Sequence, residues 1–365
     1  MKIVVTGTRG IPDILGGIET HCEELFPRIA AKGFDITVVR RKNYVHDNIK
    51  SYKGVLLYDI PNNNKKSFEA ITHTFRAIWA AKRKIHADIV HIHAIGPAIL
   101  TPFARLLGMK VVFTHHGPDY DREKWGKLAK AMLRFGERMG CTFANEVIVI
   151  SNVINDIIKR KYGRNDAHII YNGVAAPVIE NNTSYLEYSG VMPGKYILAM
   201  GRFVPEKNFQ TLIRAFSNLN QSEYKLVIAG DADIEDDYSR ELKSLAKSNN
   251  VILTGFVKGD QLHALLSHAA LFVLPSSHEG LPISLLEAMS YNLPVMASDI
   301  PANKEVNLPS SCYFHYNEED LIKNLTEGLR IKLNDKTIPE YNLTKYDWNT
   351  IAEQTANVYQ KLFKN

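Results

Sequence analysis

Short apolar runs alternate with amphipathic segments along the whole chain. Apolar and β-branched residues dominate the runs at 3–6, 36–39, 89–92, 111–114, 147–150 and 169–171, and again at 196–200, 225–229, 251–253, 271–274, 295–297 and 312–314. Each run has the length of a strand, and segments with helical spacing lie between the runs. Strands and helices that alternate in this way form parallel sheets through right-handed crossovers. The two series therefore predict an α/β protein with two doubly wound, Rossmann-like domains.

The alternation breaks between residues 174 and 194. Ala175-Ala176-Pro177 and the polar run Glu180-Asn181-Asn182-Thr183-Ser184 interrupt it, as turn-forming residues do between domains. We therefore predict a first domain at 1–175 and a second domain at 190–347.

The last segment, 348–365, has helical spacing. Ile351, Thr355, Val358 and Leu362 fall on one side of the predicted helix. This mostly apolar stripe needs a partner surface, and we expect it to pack back on the first domain.

The bulk composition is typical of a soluble globular protein, with 365 residues and 45% hydrophobic residues. No apolar run reaches the roughly 18–20 residues of a membrane span, and the N-terminus begins a strand without the form of a signal peptide. The cysteines, Cys22, Cys141 and Cys312, are odd in number and far apart. They fit a reduced compartment and show no metal-ligand spacing, so we expect a cytoplasmic protein.

Charge is distributed unevenly along the chain. Residues 1–180 carry 27 Lys and Arg against 17 Asp and Glu, whereas the remainder carries 17 against 22. The basic part surrounds an apolar stretch, with Phe75, Ile78 and Trp79 next to Lys65, Lys66, Arg76, Lys82, Arg83 and Lys84. This pattern fits a helix on an anionic membrane surface and equally a solvated helix face. No nucleic-acid recognition motif accompanies the charge.

Two carboxylates in the segment 275–299 point most directly to a function. Glu279 follows the predicted strand 271–274, and a Gly-Leu-Pro turn leads from it into a helix that carries Glu287. Open α/β sheets bind ligands at the carboxyl ends of their strands, and a helix start offers N–H groups to an anion. An anion site between two hydroxyl-binding carboxylates suits the diphosphate, sugar and ribose of a nucleotide-sugar.

A second strand-end loop carries cations. Gly201-Arg202 follows the strand 196–200, and Lys207 comes five residues after Arg202. Arg offers a fork of donors and Lys a point charge, so we favour a clamp for a diphosphate over two solvated cations. Such a clamp stabilises the charge that grows on a departing nucleoside diphosphate.

Two further motifs are weaker signals. Gly16-Gly17 precedes a helix and allows close approach to a phosphate, although a plain turn is the alternative and G-x-G-x-x-G is absent. Asp231-Ala232-Asp233 spells D-x-D, which holds a divalent metal in some glycosyltransferases. We interpret it as a polar loop that opens a helix, with a metal site as the minority alternative.

Histidines cluster at two predicted strands. His91 and His93 lie on one face of the strand 89–92 and its end, and His115-His116 end the next strand. No further His or Cys spacing supports a zinc site. Single histidines of this kind are most often structural, but His116 precedes a glycine at a strand end, where it can contact a donor sugar or acceptor.

Together these residues resemble the retaining GT-B glycosyltransferases of family four. The resemblance rests on Glu279-x7-Glu287 with Pro294-Val295-Met296-Ala297-Ser298-Asp299, and on Gly201-Arg202 with Glu206-Lys207-Asn208. The first half is similar to a narrower group, bacterial rhamnosyltransferase-like enzymes of surface polysaccharide, in the segments 7–12, 16–20, 116–117 and 122–126. The resemblance implies two Rossmann-like domains facing a cleft, with an acceptor-side first domain and a nucleotide-sugar-binding second domain.

The resemblance also implies site residues. It implies that the catalytic residues Arg202 and Lys207 bind the diphosphate. Catalytic roles are also implied for Glu279, which binds the transferred sugar, and for His116, which contacts that sugar near its anomeric carbon. The implied donor-binding residues are Gly16, Gly17, Gly201, Phe256, Val257, Gly280, Leu281, Pro282 and Glu287. Of these, Glu287 holds the ribose, and Phe256 and Val257 border the base. No metal or other cofactor is required.

Two departures from the family pattern stand out. Asn292-Leu293 replaces a usual glycine before Pro294-Val295, and a turn tolerates Asn. Asp13-Ile14-Leu15 replaces a basic residue and an aromatic of the narrower group, which leaves the donor and the acceptor open.

We thus expect transfer of a sugar, with rhamnose and N-acetylhexosamine as candidates, from a UDP- or dTDP-sugar to a saccharide acceptor. The expected acceptor is lipid-linked, on the inner face of the plasma membrane. Three alternatives stay open: a nucleotide-sugar 2-epimerase, a transferase for a small soluble acceptor, and a non-catalytic sugar-nucleotide-binding protein.

Overall fold

A computed structural model describes residues 1–61, 69–122, 125–219, 221–315, 317–334 and 340–363, with the side chains of 330–334 left undescribed. Lys65, Lys66, Glu123 and Lys124, which the sequence analysis singled out, lie outside these residues. The chain divides into two compact units, one of Met1–Gly173 with Lys345–Asn365 and one of Val174–Thr344. Each unit is built on a largely parallel sheet with helices, which confirms the predicted α/β fold class.

The elements of the first unit follow the predicted alternation. Its strands are β1 (Lys2–Thr6), β2 (Asp35–Arg41), β3 (Ser51–Tyr52), β4 (Val55–Ile60), β5 (Ile89–His93), β6 (Lys110–His115), β7 (Glu146–Val149) and β8 (His168–Ile169). Its helices are α1 (Gly17–Ala30), α2 (Glu69–Ala80), α3 (Thr101–Leu106), α4 (Lys127–Phe143), α5 (Asn152–Tyr162) and, from the C-terminal segment, α13 (Trp348–Lys361). Local chemistry marks the ends of α5, since Ser151 Oγ accepts from Ile154 N–H and Gly163 closes the helix at a φ of 65°.

The sheet of the first unit has the order β3-β4-β2-β1-β5-β6-β7-β8 within the described residues. The strands are parallel except for β3, which pairs antiparallel with β4. Strands β3 and β4 were not predicted. β4 is a true strand but carries Leu56 with 57% of its surface exposed, so its pattern is not that of a fully buried run.

The core of the first unit lies between the sheet and helices α1 and α13. One face of α1 is buried at Cys22, Leu25, Phe26 and Ile29. In α13, Ile351, Thr355 and Val358 are buried, and α13 packs on α1 in the same core. The C-terminal segment therefore belongs physically to the first unit.

The second unit repeats the plan with a smaller sheet. Its strands are β9 (Tyr196–Met200), β10 (Lys225–Ala229), β11 (Ile252–Gly255), β12 (Leu271–Leu274), β13 (Val295–Ser298) and β14 (Tyr313–Phe314). Its helices are α6 (Ser184–Tyr188), α7 (Phe209–Ser217), α8 (Asp237–Ser248), α9 (Asp260–His268), α10 (Ile283–Ser290), α11 (Pro301–Lys304) and α12 (Glu318–Asn334). Within the described residues the parallel sheet has the order β11-β10-β9-β12-β13-β14.

Apolar residues on one face of β9 contribute to the core of the second unit. Ile197 and Ala199 of β9 share one buried cluster with Phe209 and Leu212 of α7. Helix α8 begins with a capping box, in which Asp236 accepts from Ser239 N–H and Ser239 bonds back to Asp236. The polar loop predicted after β10 is thus the entrance to a helix.

Over the described residues, no helix has both the length and the apolar character needed to cross a membrane.

The hydroxyl of Tyr359 gives a direct test of how α13 is held. It lies 2.6 Å from His91 Nδ1, and both side chains are fully buried. Tyr359→Phe leaves a buried imidazole nitrogen without its partner, so we expect the free energy of unfolding of the first unit to fall by about 1–3 kcal/mol. Urea unfolding followed by tryptophan fluorescence measures this change.

Tyr188→Phe is the matched control, because Tyr188 is 89% exposed and its loss should change stability by less than about 0.5 kcal/mol. If Tyr359→Phe unfolds at the same urea concentration as the control, the hydroxyl contributes nothing to the docking of α13.

Candidate functional site

In both units predicted site residues lie at or next to the point where the strand order reverses, whereas Phe256 and Val257 follow the edge strand β11. In the second unit the chain runs from β9 outward to β10 and β11 and then returns to place β12 on the other side of β9. In the first unit β1 is flanked in the same way by β2 and β5. Ligands of open α/β sheets bind at the carboxyl ends of the strands at such switch points.

The loop after β9 is packed tightly against the loop after β10. Gly201 N–H donates to Ala229 O, and Phe203 N–H donates to Asp231 O. Gly230 has a φ of 144°, and a Cβ there would overlap the carbonyl oxygen of Gly201. Only glycine therefore permits this approach, which sets where Arg202 and Lys207 leave the backbone.

Lys207 and Glu279 form an ion pair across the switch point of the second unit. Lys207 Nζ lies 2.6 Å from Glu279 Oε1, and the two side chains are 17% and 12% exposed. Ser277 N–H donates to Glu206 O at 2.9 Å and so joins the two loops through the backbone. Burial opposes the ionisation of Glu279, but the charge and hydrogen bond of Lys207 outweigh it and hold the pKa of Glu279 below its usual value.

Arg202 has its own carboxylate partner. Its Nη1 lies 3.0 Å from Asp233 Oδ2, with both side chains about a quarter exposed. Asp231, the other acid of the D-x-D sequence, lies 3.0 Å from Lys243 Nζ. Both acids of D-x-D are therefore engaged with cations, which agrees with the interpretation of this segment as a polar loop.

The loop after β12 leads into α10 as predicted. Leu281 and Pro282 are buried, and Pro282 stands at the N-cap without a side-chain cap. Glu287 lies inside α10 and is half-buried. Helix start, Glu279 and Glu287 therefore lie along one segment at the switch point, with backbone N–H groups of the first turn directed away from the helix body.

The residues predicted to border the base differ in exposure. After β11, Phe256 is 47% exposed whereas Val257 is buried. An exposed aromatic ring at a strand end is available for stacking, whereas a buried valine is not.

The departure at Asn292 has a structural explanation. Asn292 has a φ of 54°, in the left-handed region that glycine adopts most easily and Asn better than most other residues. The turn before β13 thus keeps its shape without the glycine that the family usually has.

In the first unit, Gly16 and Gly17 begin α1 at the end of a long loop. A Cβ on Gly16 would overlap Glu19 and Arg9, whereas one on Gly17 would meet nothing within 4 Å. Arg9 and Glu19 form an ion pair at 2.9 Å, and Glu19 Oε1 also accepts from Arg9 N–H. Gly16 is therefore required by this pair, and Gly17 leaves the open space that a ligand needs.

His116 lies at the end of β6 beside other histidines. Its Nε2 is 2.8 Å from His93 Nδ1, and its ring lies edge-on to His21 with 5.0 Å between centroids. Burial, followed by the neighbouring imidazoles, lowers the pKa of His93 and of His116 well below the usual value. Burial also lowers the pKa of His21 to about 4, although its hydrogen bond to Asn172 opposes the shift. These rings are neutral at physiological pH.

The other two histidines of these strands are structural. His91 is held between Tyr359 and Thr114, at 2.6 Å from each. His115 Nε2 lies 2.8 Å from the fully buried Glu137, which also accepts from Tyr120. His91 and His115 thus have no ring nitrogen left for a ligand.

Sequence reasoning missed three features of the site. His21 lies on α1, far in sequence from the other histidines, and Asn172 supports it from beyond β8. The pairing of Arg9 with Glu19 was missed as well, although both residues stand in segments that carried the resemblance. The ion pair of Asp231 had a local signal in Lys243 of α8, whereas Asp233 pairs with Arg202, which follows β9.

Comparison with known families agrees with this geometry. The family described as "Glycosyltransferase Family 4" matches residues 15–176, and the family "Glycosyl transferases group 1" matches residues 190–346. The first match covers most of the first unit, and the second covers most of the second unit.

Similar proteins extend over nearly the whole chain. An uncharacterized glycosyltransferase of Methanocaldococcus jannaschii is 25% identical over 99% of this chain and 98% of its own. The UDP-Gal:alpha-D-GlcNAc-diphosphoundecaprenol alpha-1,3-galactosyltransferase of Escherichia coli is 25% identical over 92% and 85%.

Solved structures show the same fold. Sucrose-phosphate synthase from Thermosynechococcus elongatus superposes with a TM-score of 0.82 at 20% identity, covering 99% of each chain. Anabaena HepE in complex with UDP-glucose gives 0.80 at 17% identity, covering 99% of this chain and 100% of HepE. From the two family matches and this fold, the chain is a glycosyltransferase of the GT-B class.

Proposed function

We propose that this glycosyltransferase moves a sugar from a UDP- or dTDP-sugar to a hydroxyl of a lipid-linked saccharide, in the biosynthesis of a surface polysaccharide. Rhamnose and N-acetylhexosamines are the candidate sugars. The observation that carries the proposal is the ion pair of Lys207 with Glu279 beside Arg202, at the switch point of the second unit.

Lys207 and Arg202 bind the donor diphosphate. Lys207 uses one of its three N–H donors on Glu279, and Arg202 uses Nη1 on Asp233. Within the described part of the chain the remaining donors of both side chains have no protein partner, so they can bind phosphate oxygens. Because carboxylates already balance the two cations, the loops keep their positions before the donor arrives.

Two carboxylates and a histidine then recognise the sugar parts of the donor. Glu279, kept ionised by Lys207, accepts from hydroxyls of the transferred sugar, and Glu287 accepts from those of the pentose. His116 is neutral and therefore offers one donor and one acceptor nitrogen. A neutral ring also adds no positive charge beside an anomeric carbon that becomes cationic in the transition state.

The transferred sugar keeps its anomeric configuration because the acceptor hydroxyl attacks the face of the sugar from which the diphosphate departs. In this mechanism the leaving phosphate oxygen takes the proton of the acceptor hydroxyl, and no protein nucleophile is needed. The protein contributes positioning and charge stabilisation. Pairing of Asp231 and Asp233 with Lys243 and Arg202 supports a reaction without a divalent metal.

The similar proteins support a saccharide acceptor on a lipid. The Escherichia coli relative is named for transfer to GlcNAc-diphosphoundecaprenol, and a Salmonella typhimurium relative is an O-antigen chain mannosyltransferase. A soluble acceptor is the second candidate, because alpha-maltose-1-phosphate synthase of Mycobacterium tuberculosis is also similar.

A lipid-linked acceptor requires approach to a membrane, and the first unit carries a surface suited to it. Helix α2 exposes Phe75 and Trp79, whereas Ile78 of the predicted stretch is buried in the core. Arg83 lies over the Trp79 ring at 5.2 Å. The helical segment 81–85 that continues α2 exposes Lys82, Arg83 and Lys84, so basic and apolar side chains share this surface.

The neighbouring helices α3 and α4 also expose apolar side chains, and α4 exposes basic ones. Phe103 of α3 stacks on Phe75 at 4.9 Å, and Leu106 of α3 is 84% exposed. Helix α4 packs next to α3 and exposes Leu128 and Phe135. Its exposed cations are Lys127, Arg134 and Arg138. We call the exposed face of α2, α3 and α4 the three-helix surface, and propose that it lies on an anionic membrane.

Removing the clamp should abolish most of the activity. We expect Arg202→Ala to lower turnover by about two to three orders of magnitude, because a lost donor to a developing charge typically has this effect. Release of UDP or dTDP in the presence of donor and lipid-linked acceptor measures it.

Arg240→Ala is the matched control, since Arg240 is also paired with acids but lies on the exposed face of α8. Near-normal turnover of Arg202→Ala with a competent donor would refute the clamp.

Incubation with the donor alone separates the proposed transferase from a 2-epimerase. We expect the sugar part of the donor to keep its configuration in the absence of acceptor, apart from slow hydrolysis, because the reaction needs an acceptor hydroxyl. Proton NMR of UDP- and dTDP-sugars follows both outcomes. A donor converted into its 2-epimer would contradict the proposal, and a panel of lipid-linked and soluble acceptors then distinguishes the two transferase candidates.

The three-helix surface can be tested without activity. We expect Leu128→Gln combined with Phe135→Gln to weaken binding to vesicles of anionic phospholipid by about tenfold or more, because each side chain no longer buries apolar area in the bilayer. Co-sedimentation measures the bound fraction, which should also fall as salt screens the basic residues.

Met192→Gln combined with Ile234→Gln is the control, as both side chains are similarly exposed but lie in the second unit. If the same fraction of both double variants sediments with the vesicles, the three-helix surface does not bind the membrane.

A further inference from the structure

A chain of buried polar side chains in the second unit ends on the loop that carries Glu279. This loop, residues 275–281, joins β12 to α10, and β12 lies between β9 and β13 in the sheet. The chain consists of Ser276 in the loop, Ser298 at the end of β13 and Asn303 in α11, and all three residues are fully buried. Because they are fully buried, their side chains cannot contact a donor directly.

The hydrogen bonds of this chain have determined directions. Asn303 Nδ2 donates to Ser298 O at 2.9 Å and to Ser298 Oγ at 3.0 Å. Ser298 Oγ in turn donates to Ser276 O. Since a backbone carbonyl oxygen only accepts, the atoms that face these two carbonyls must be donors. The amide orientation of Asn303 and the hydroxyl orientation of Ser298 are therefore both fixed by their partners.

The other end of the chain is held by the edge of the sheet. The hydroxyl of Tyr313 in β14 donates to Asn303 O at 3.2 Å and accepts from Leu308 N–H at 3.0 Å. Strand β14 pairs with β13, and Asp299 N–H donates to Phe314 O just beyond the end of β13. Asn303 is thus anchored to backbone that two paired strands hold in place.

The Glu279 loop is held from both of the strands that flank β12. On the β9 side, Ser277 N–H donates to a backbone carbonyl of the neighbouring loop at 2.9 Å, and Lys207 pairs with Glu279. On the β13 side, Ser298 holds the carbonyl of Ser276. Loss of a partner from a buried carbonyl is costly, and the backbone shifts to find another one. Ser276 is close enough in sequence for such a shift to move the Glu279 carboxylate.

We propose that Ser298 and Asn303 are positioning residues of the transferase, which hold Glu279 in place against the sugar of the donor. This role rests on the proposed function, in which Glu279 accepts from hydroxyls of the transferred sugar. Ser298 acts through the backbone of Ser276, and Asn303 acts through Ser298. Displacement of a contact by about 1 Å can lower turnover about a hundredfold, so a residue outside the donor contacts can still set the rate.

This arrangement separates the sugar of the donor from its diphosphate. Lys207 and Arg202, which bind the diphosphate, leave the loop after β9. That loop is fixed independently, because a Cβ on Gly230 would overlap the carbonyl oxygen of Gly201. Loss of the Ser298 hydroxyl should therefore impair use of the complete donor much more than binding of the nucleoside diphosphate alone.

Turnover and nucleotide affinity of Ser298→Ala test this separation. We expect kcat/KM for a competent UDP- or dTDP-sugar to fall about ten- to a hundredfold, while the Kd of UDP or dTDP alone, from calorimetry, stays within about twofold. Ser298→Thr keeps the hydroxyl and should recover most of the turnover. Asn303→Asp keeps the shape of the side chain but removes the donor to Ser298 O, so it should lower kcat/KM in the same way.

Amide hydrogen exchange of the same variant needs neither donor nor acceptor. We expect the segment 275–281 to exchange about fivefold faster or more in Ser298→Ala, because a loop without this anchor opens locally more often. Unchanged exchange together with normal turnover would overturn the positioning role and leave the transferase intact. A wild-type chain that turns over none of the donors would instead refute the proposed function, and the positioning role with it.

Ser267→Ala is the matched control. Its hydroxyl also bonds to the backbone, accepting from Glu180 N–H at 3.0 Å, but Ser267 lies in α9 and precedes β12, at the edge of the sheet away from the site. Its turnover and its exchange at 275–281 should equal those of the wild-type chain. Equal turnover of Ser298→Ala and Ser267→Ala would overturn the positioning role. A fall in UDP affinity as large as the fall in kcat/KM, without recovery in Ser298→Thr, would overturn it too, since it indicates a merely structural serine.

Discussion

The ion pair between Lys207 and Glu279 is the interaction on which the donor site of the second unit depends. Its two side chains are mostly buried, where an unpaired charge is costly and a paired one is strongly held. Each residue therefore fixes the other: the lysine keeps the carboxylate ionised, and the carboxylate keeps the lysine directed into the site. A phosphate that arrives meets a cation already in place.

The strand order of the sheet brings this pair together. Lys207 follows β9 and Glu279 follows β12, and these strands are neighbours although 72 residues separate the two side chains. Reversal of the strand order at this point leaves the ends of β9 and β12 uncovered by a crossover helix. The tight approach of Gly230 to Gly201 then keeps the cation-bearing loop from drifting away from the site.

The two units differ in the character of their predicted site residues: those of the first unit include buried neutral histidines, whereas those of the second unit include an ion pair. Its switch point collects imidazoles in an apolar environment formed by Phe26 and Trp348. Burial makes the rings neutral, and neutral imidazoles can donate, accept or bind a metal. This condition suits contact of a neutral ring with the hydroxyls of a sugar.

Local patterns in the sequence were enough to predict the two α/β units, most strand positions, the loops that carry Arg202, Lys207 and Glu279, and the helix that carries Glu287. These features depend on local periodicity and on residues that follow a strand directly, so they can be read without knowing the fold. Strand β4 was not predicted, although it contains the apolar run Val55-Leu56-Leu57-Tyr58; in the sheet it lies between β2 and the edge strand β3, with Leu56 57% exposed. Which charges pair, and that His21 lies against His93 and His116, became apparent only in the folded chain. Such contacts join residues far apart in the chain, and no local pattern encodes which distant side chains the packing of a core will bring together.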